Sequence, residues 1–262
     1  MMTFAAFTHQ WIQELNRSGK FLVADNREVT LHSFLQFLDR DDLSFDEIDE
    51  ELVKKYESWL YDRGLKHSTV VFYLAQLCTI FRQAVKEGET VRRNPFRLVN
   101  KATVPKQNRT LLTREELQRL RHFDFSGISA SQAYARDLFF FSIYAHGMSF
   151  TDIAFLRKSD LKDGMLTYIS HTWGNPTRTV CWDPQMQEIA ARYPSETSYI
   201  FPFVTTRSRK EALRKVIQQR QNVTRNLKKI AVRCNLSVVP TFLMTRDLYI
   251  QLVQQASVSD LI

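Results

Sequence analysis

The chain has 262 residues, a formal net charge of +8 and a pI of about 9.4. Its hydrophobic fraction of 44% is typical of a soluble globular protein, and its length suits two modest domains or one large domain. No window approaches the roughly 18 uninterrupted apolar residues of a membrane span, and the first residues lack a signal-peptide core, so no membrane contact is expected.

The positive charge is concentrated in the second half of the chain. Residues 106–262 hold 22 Lys and Arg against 13 Asp and Glu, whereas residues 1–105 hold 14 against 15. Within the second half, residues 205–235 hold ten basic residues and one acidic residue. An earlier stretch of the chain, 63–109, holds ten basic and two acidic residues. Two separated basic surfaces favour a protein that holds a polyanion. The alternative is that each stretch is only a solvated face.

The three cysteines, Cys78, Cys181 and Cys234, are odd in number and far apart. They lack the close spacings of metal ligands. The sequence therefore predicts reduced thiols in a cytoplasmic protein and no metal site.

The first part of the chain is predicted to be helical. Apolar residues at helical spacing, with Thr30 and Ser68 as candidate N-caps, indicate four helices. Their predicted positions are 1–20, 30–38, 46–61 and 68–85. An irregular basic stretch containing Pro105 follows and predicts an interdomain linker.

The central stretch of the second part is 133–161. Residues 133–145 are apolar on almost every side, which predicts a helix buried in the middle of a domain. Gly147 permits a turn, and Ser149 with Asp152 begins a second, short helix. We expect the exposed corner at residues 146–149 to carry the chemistry.

Other local signals outline the rest of the second part. Thr113 with Glu116 predicts a capping box, and Asp183 before Pro184 predicts another helix start. The predicted strands are 165–170 and 179–182, joined at Gly174, and the predicted later helices are 184–193, 208–234 and 241–256.

Several collinear motifs carry a family resemblance. The stretch 136–161 contains RD, an apolar run, a tyrosine, GMSF and DL in that order, and it is followed by LTY at 166–168, WDPQMQEI at 182–189 and YIFPFV at 199–204. With the segment around Arg246, this pattern resembles the tyrosine recombinases (phage integrase family), especially the branch carried on mobile elements. The resemblance covers nearly the whole chain.

The resemblance implies a mainly α fold with a small β component. It implies a helical SAM-like core-binding domain and a tyrosine-recombinase catalytic-type domain with a β-hairpin or small sheet. The implied divisions are a short N-terminal arm remnant at 1–24, the DNA-binding core-binding domain at 25–100, a basic linker at 101–112 and the catalytic-type domain at 113–262.

The family cuts DNA through a tyrosine nucleophile. Two arginines bind the reacting phosphate, a lysine on a β-hairpin protonates the leaving oxygen, and imidazole or indole groups assist, without metal or cofactor. Here Arg246 is at the place of the second arginine, and His146 is at the place of the first. Thr172 is at the lysine place, and Leu243 and Asp247 are at the histidine places.

The nucleophile is also expected to be missing. The sequence ends at Ile262, before the family's Leu-Gly-His turn and its tyrosine, which predicts a chain truncated before the nucleophile segment. Tyr249 follows Arg246 on the same predicted helix, and core packing is its expected role. The predicted active site is therefore degenerate.

The basic stretches and the resemblance together predict the contacts to double-stranded DNA. At a helix start, small hydroxyls and free N–H groups favour an anion, although a plain helix cap is the alternative there. The predicted DNA-binding residues are Lys66, His67, Ser68, Thr69, Arg92, Arg93, Arg209, Lys210, Arg214, Lys215, Arg220, Arg225, Lys228 and Lys229.

Three functions are compatible with these features. The favoured one is a catalytically impaired family member that still binds DNA. The second is an active integrase that uses residues different from the family's usual set or supplied in trans. The third is a decayed or partner-binding fragment that joins itself or an intact recombinase by exchanging C-terminal segments.

Overall fold

The structure, a computed structural model, describes residues 2–90, 95–98, 110–123, 127, 129–171 and 176–254. The chain divides into two compact units, Met1–Gln107 and Asn108–Ile262. Four of the sequence predictions lie outside the described residues: most of the linker, Arg92 with Arg93, Thr172 and the turn at Gly174.

The described part of the first unit is helical. Its elements are α1 (Phe4–Arg17), α2 (Phe21–Leu38), α3 (Glu50–Asp62) and α4 (His67–Lys86), with 3-10 turns at Phe45–Glu47 and Pro95–Leu98. Helix α1 packs along α2, and α4 packs against both α2 and α3.

Aromatic rings form the centre of this unit. Phe4, Phe34 and Tyr56 are fully buried, and Phe34 meets both of the other rings edge-on. Tyr56 donates a hydrogen bond to Ser33 Oγ at 2.8 Å, and burial raises the pKa of its phenol. Phe4 of α1 belongs to this core, so α1 packs into the first unit.

Several helix starts in the first unit differ from the predictions, and α3 begins at Glu50 rather than at residue 46. Helix α2 begins at Phe21, and the Thr30 hydroxyl donates to the Asn26 carbonyl inside the helix at 2.8 Å. A threonine hydroxyl can make this bond in the middle of a helix, so a threonine in the sequence need not mark a helix start. Helix α4 begins at His67 with Lys66 as N-cap, which places Ser68 in the first turn.

The second unit is mostly helical and contains a small antiparallel sheet. Its described helices are α5 (Arg114–His122), α6 (Ala130–Tyr144), α7 (Phe150–Phe155), α8 (Pro184–Arg192), α9 (Arg209–Arg233) and α10 (Thr245–Gln254). Its strands, in the order β1-β2-β3, are β1 (Leu161–Lys162), β2 (Met165–Ile169) and β3 (Thr177–Cys181). The expected fold class, mainly α with a small β component, is confirmed.

Helix α6 is the central element of the second unit. Leu138, Phe139 and Phe141 are fully buried, and α8, α9 and α10 pack around the helix. This confirms the prediction that residues 133–145 are covered on nearly every side.

A buried carboxylate joins α6 to α8. Asp137 accepts hydrogen bonds from Arg136 Nε at 2.8 Å, Arg192 Nη1 at 3.0 Å and the Tyr193 hydroxyl at 2.8 Å. Only 5% of the Asp137 side chain is exposed, so its charge is compensated by these partners rather than by water.

The sheet differs from the prediction at the start of its last strand. Strand β3 begins at Thr177 rather than at residue 179, and it pairs with β2 through Tyr168–Arg178 and Leu166–Val180. The predicted pair of strands is extended by β1, a two-residue strand that also pairs with β2. No helix in the described ranges is both long and apolar enough to cross a bilayer.

Candidate active site and nucleic-acid interface

The corner after α6 has a left-handed backbone. His146 has φ of 59° and Gly147 has φ of 78°. The amides of Gly147 and Met148 both donate to the Ser142 carbonyl, at 2.7 and 3.2 Å, which ends the helix. The structure thus confirms a turn at Gly147, and it places His146 at its tip.

The start of α10 packs directly on this corner. A Cβ at Gly147 would lie 2.6 Å from Arg246 Cβ and 2.7 Å from Arg246 N, so only glycine fits. Beneath the contact, the buried Ser142 hydroxyl lies 2.5 Å from the Met148 carbonyl and 2.8 Å from Thr245 Oγ1. Residues far apart in sequence are therefore held together, with Arg246 beside His146.

A cleft of about 330 Å³ opens at this contact. His146, Leu243 and Arg246, three residues at the sequence-predicted site, line it, together with Asp152 and Arg178. Asp247 does not line the cleft. The predicted catalytic-site residues that the structure describes, except Asp247, thus line the same cleft.

His146 is a poor substitute for an arginine in this cleft. Its ring stacks on Tyr249, with centroids 4.4 Å apart and planes at 17°. Desolvation by the surrounding protein lowers the pKa of His146, although Asp183 opposes this shift. The imidazole is therefore neutral at neutral pH and lacks the planar fork of a guanidinium. Tyr249 stacks on this ring instead of lining the cleft.

Asp152 anchors the end of β2. Its carboxylate is buried and accepts from the His171 amide at 2.6 Å, from His171 Nδ1 at 3.1 Å and from Ser170 Oγ at 3.0 Å. Burial alone would raise the pKa of Asp152, but the hydrogen bonds from His171, Ser149 and Ser170 outweigh burial and lower it. Asp152 also lines a second cleft of about 550 Å³.

Arg178 is a cleft residue that the sequence prediction missed. The predicted last strand begins at residue 179 and therefore does not include it. The alternation of Thr177, Arg178, Thr179 and Val180 puts Arg178 on the same face as buried Val180. That period-two pattern could have identified it.

Helix α9 has one apolar and one basic side. Ala212, Val216, Val223, Leu227 and Ile230 are buried against the rest of the unit. The other side carries the predicted DNA-binding cations, namely Arg209, Lys210, Arg214, Lys215, Arg220, Arg225, Lys228 and Lys229. All are exposed except Lys210, which is half-buried. A helix of 25 residues is about 37 Å long, so this basic face is an extended stripe.

The N-terminus of α4 is uncapped by side chains. The N-cap Lys66 makes no side-chain cap hydrogen bond, and Ser68 is exposed. The first N–H groups of a helix have no intrahelical acceptor, so His67 and Ser68 present free donors. His67 Nδ1 lies 2.5 Å from the Tyr61 hydroxyl, with the two rings stacked. The helix start therefore has no side-chain cap from Lys66.

Comparison with known proteins agrees with this architecture. Residues 3–104 match the family described as phage integrase SAM-like domain. The tyrosine recombinase XerC of Bacillus pumilus (strain SAFR-032) is 26% identical over 184 residues, which cover 69% of this chain and 58% of the relative. The match therefore spans little more than half of that relative's length.

Two solved structures have a similar fold. The XerH site-specific recombinase bound to difH substrate, in a pre-cleavage complex, has a TM-score of 0.62 at 19% identity and covers 95% of this chain and 75% of the other. A lambda integrase (75–356) dimer bound to a COC′ core site has a TM-score of 0.58 at 18% identity and covers 99% and 93%.

The fold, with its helical first unit, α6-centred second unit and small sheet, is that of an integrase-type recombinase. Residues 3–104 carry the phage integrase SAM-like domain, and the fold is similar to that of the lambda integrase and XerH recombinase structures.

Proposed function

We propose that this protein binds double-stranded DNA in DNA integration or recombination and is impaired in DNA cleavage. The observation that carries the impairment is His146, a neutral ring stacked on Tyr249 at the place of the family's first arginine. A phosphate in the transition state gains most from donors already positioned around its oxygens. A neutral imidazole supplies at most one of them, without charge.

The energetic cost of this replacement is large. Loss of a single positioned donor commonly costs about 3–4 kcal/mol of transition-state stabilisation, or roughly 10²–10³ in rate. Leu243 and Asp247, at the histidine places, offer no imidazole either. We infer that cleavage is slower by several such factors, although DNA binding does not need these groups.

The basic stripe of α9 and the uncapped start of α4 support DNA binding. Phosphate contacts by Lys and Arg release counterions, so affinity falls steeply with salt. We expect fluorescence anisotropy with labelled duplex DNA to give a log–log salt slope near −0.9 for each phosphate contacted, as is usual for B-form DNA. The double variant Arg214→Gln, Arg225→Gln should reduce that slope by about 2.

A matched control uses a cation of the first unit that already has a carboxylate partner. Lys55→Gln alters an exposed lysine of α3 paired with Glu51, and we expect it to leave the slope unchanged. Binding that is absent at low salt, or that does not respond to salt, would overturn the DNA-binding proposal.

The remaining parts of the proposal concern partners and location. We propose a cytoplasmic protein of a mobile element that needs no cofactor and that associates with itself or with an intact recombinase by exchanging C-terminal segments. The similar lambda integrase structure, a dimer on its core site, supports self-association. Light scattering on the chain with and without duplex DNA tests this, and a monomer under both conditions would oppose self-association.

A further inference from the structure

Two arginines from different elements face the same cleft. Arg178 comes from β3, in the middle of the hairpin pairing, and Arg246 comes from the first turn of α10. Both line the space of about 330 Å³ beside Gly147. The backbone of Arg246 is fixed there, because Gly147 packs against its N and Cβ atoms.

Arg178 occupies an unusual position for a charged residue. It is half-buried on the inward face of the sheet, two residues before buried Val180 and opposite buried Tyr168 in the register. Within the described part of the chain, the side chains of Arg178 and Arg246 make no hydrogen bond or ion pair, and Arg178 uses only its backbone to pair with Tyr168. A charge placed inward is costly unless something compensates it. Arg246 is exposed and can be hydrated, whereas Arg178 is half-buried, and an anion that enters the cleft would compensate both charges.

The acid in the cleft does not supply that compensation. Asp152 lines the same space, but its oxygens are occupied by the His171 and Ser170 donors. Asp247 lies outside the cleft lining. Two other titratable groups line the cleft: His146 is neutral for the reason given above, and burial raises the pKa of the Tyr168 phenol. Two guanidinium groups thus face one carboxylate that is already hydrogen-bonded.

We infer that Arg178 and Arg246 together bind one phosphate group, with Arg178 contacting it from β3 and not from the corner position that His146 occupies. Guanidinium groups match phosphate oxygens through paired N–H donors, and two of them hold a phosphate from two sides. That the phosphate comes from DNA rests on the proposed function, whereas the binding of a phosphate group does not. The site would then keep a phosphate in place without a complete set of catalytic groups.

The direct test is a titration of the full chain with inorganic phosphate at constant ionic strength. Arginine Nε–H signals of ¹⁵N-labelled protein report binding at each guanidinium. We expect Arg178→Gln and Arg246→Gln each to weaken phosphate binding by about tenfold or more, since each removes charge-assisted hydrogen bonds. Arg157→Gln, an exposed arginine over the Tyr199 ring, is the matched control and should bind as the wild type.

The variant Arg178→Lys separates loss of binding from loss of folding. It keeps the positive charge and loses only the planar, paired N–H donors of the guanidinium. We expect it to bind more weakly than the wild type and more tightly than Arg178→Gln. Wild-type protein that does not respond to phosphate, or a folded Arg178→Gln or Arg178→Lys variant that binds like the wild type, would overturn the inference.

A parallel titration with duplex DNA separates the two proposals. Phosphate binding without DNA binding would remove the proposed function and leave the two-arginine site in place. Salt-sensitive DNA binding with no response to inorganic phosphate would remove only the two-arginine site.

Discussion

Replacing Gly147 by alanine should destabilise the second unit more than any other single-methyl addition at a turn glycine that the structure describes there. Two costs add at this position. A left-handed backbone costs a residue with a Cβ about 1–2 kcal/mol. The new methyl would also lie 2.6 Å from Arg246 Cβ, and such overpacking typically costs about 1–3 kcal/mol more. The expected loss is therefore about 2–5 kcal/mol.

Gly164 provides the control for backbone strain. Its φ is 72°, close to the 78° of Gly147, but a Cβ there would meet nothing within 4 Å. Gly164→Ala should therefore show only the backbone cost of about 1–2 kcal/mol. Amide hydrogen exchange of α6 under native conditions reports the unfolding free energy of the second unit by itself. Equal losses for the two variants would refute the close packing of α10 on the corner.

Two further predictions concern buried carboxylates. Asp137→Asn should lower the unfolding free energy by about 3–5 kcal/mol in the same exchange experiment, because it removes the buried carboxylate that Arg136 and Arg192 contact. The control Glu188→Gln alters an exposed partner of Arg192 and should lower it by less than about 1 kcal/mol. A small loss for Asp137→Asn would contradict that network. Because the pKa of Asp152 is lowered in the folded protein, its stabilisation is present above the ordinary carboxyl pKa of about 4 and is lost as pH falls through the lower folded value. A pH series should show this loss in the wild type and a smaller one in Asp152→Asn, and identical profiles would contradict the assignment.

Helix starts were predictable where a short local pattern decides them. Thr113 and Glu116 form the predicted capping box, with bonds of 3.3 and 2.9 Å in its two directions. Ser149 caps α7, and Asp183 before Pro184 caps α8 in the same way. Each pattern is complete within four residues, so no distant contact was needed to recognise it.

The prediction was less accurate where tertiary contacts decide the structure. Phe4 and its helix join the first core through contacts with Phe34 and Phe45, which no local pattern in residues 1–24 reveals. Helix α2 extends to Phe21 although no strong cap begins it. Packing along α1 compensates for the weak local start.

The candidate site was only partly predictable, because tertiary contacts bring its residues together. The motif around His146 and the later Arg246 could be located by resemblance, but their meeting at Gly147 depends on how α10 packs. Arg178 was missed because strand boundaries are the least certain part of a sequence-based assignment. Its inward direction follows from the register with Tyr168, which only the paired sheet defines.

One electrophoresis experiment tests most directly whether the protein binds DNA without cutting it. Nicked duplex fragments from the flanks of the gene would be run with the protein in native gels at two salt concentrations, and again after SDS. We expect a native shift that weakens at higher salt and disappears in SDS. An SDS-resistant protein–DNA adduct would show a working recombinase and contradict the proposed impairment, and the absence of any native shift would contradict DNA binding.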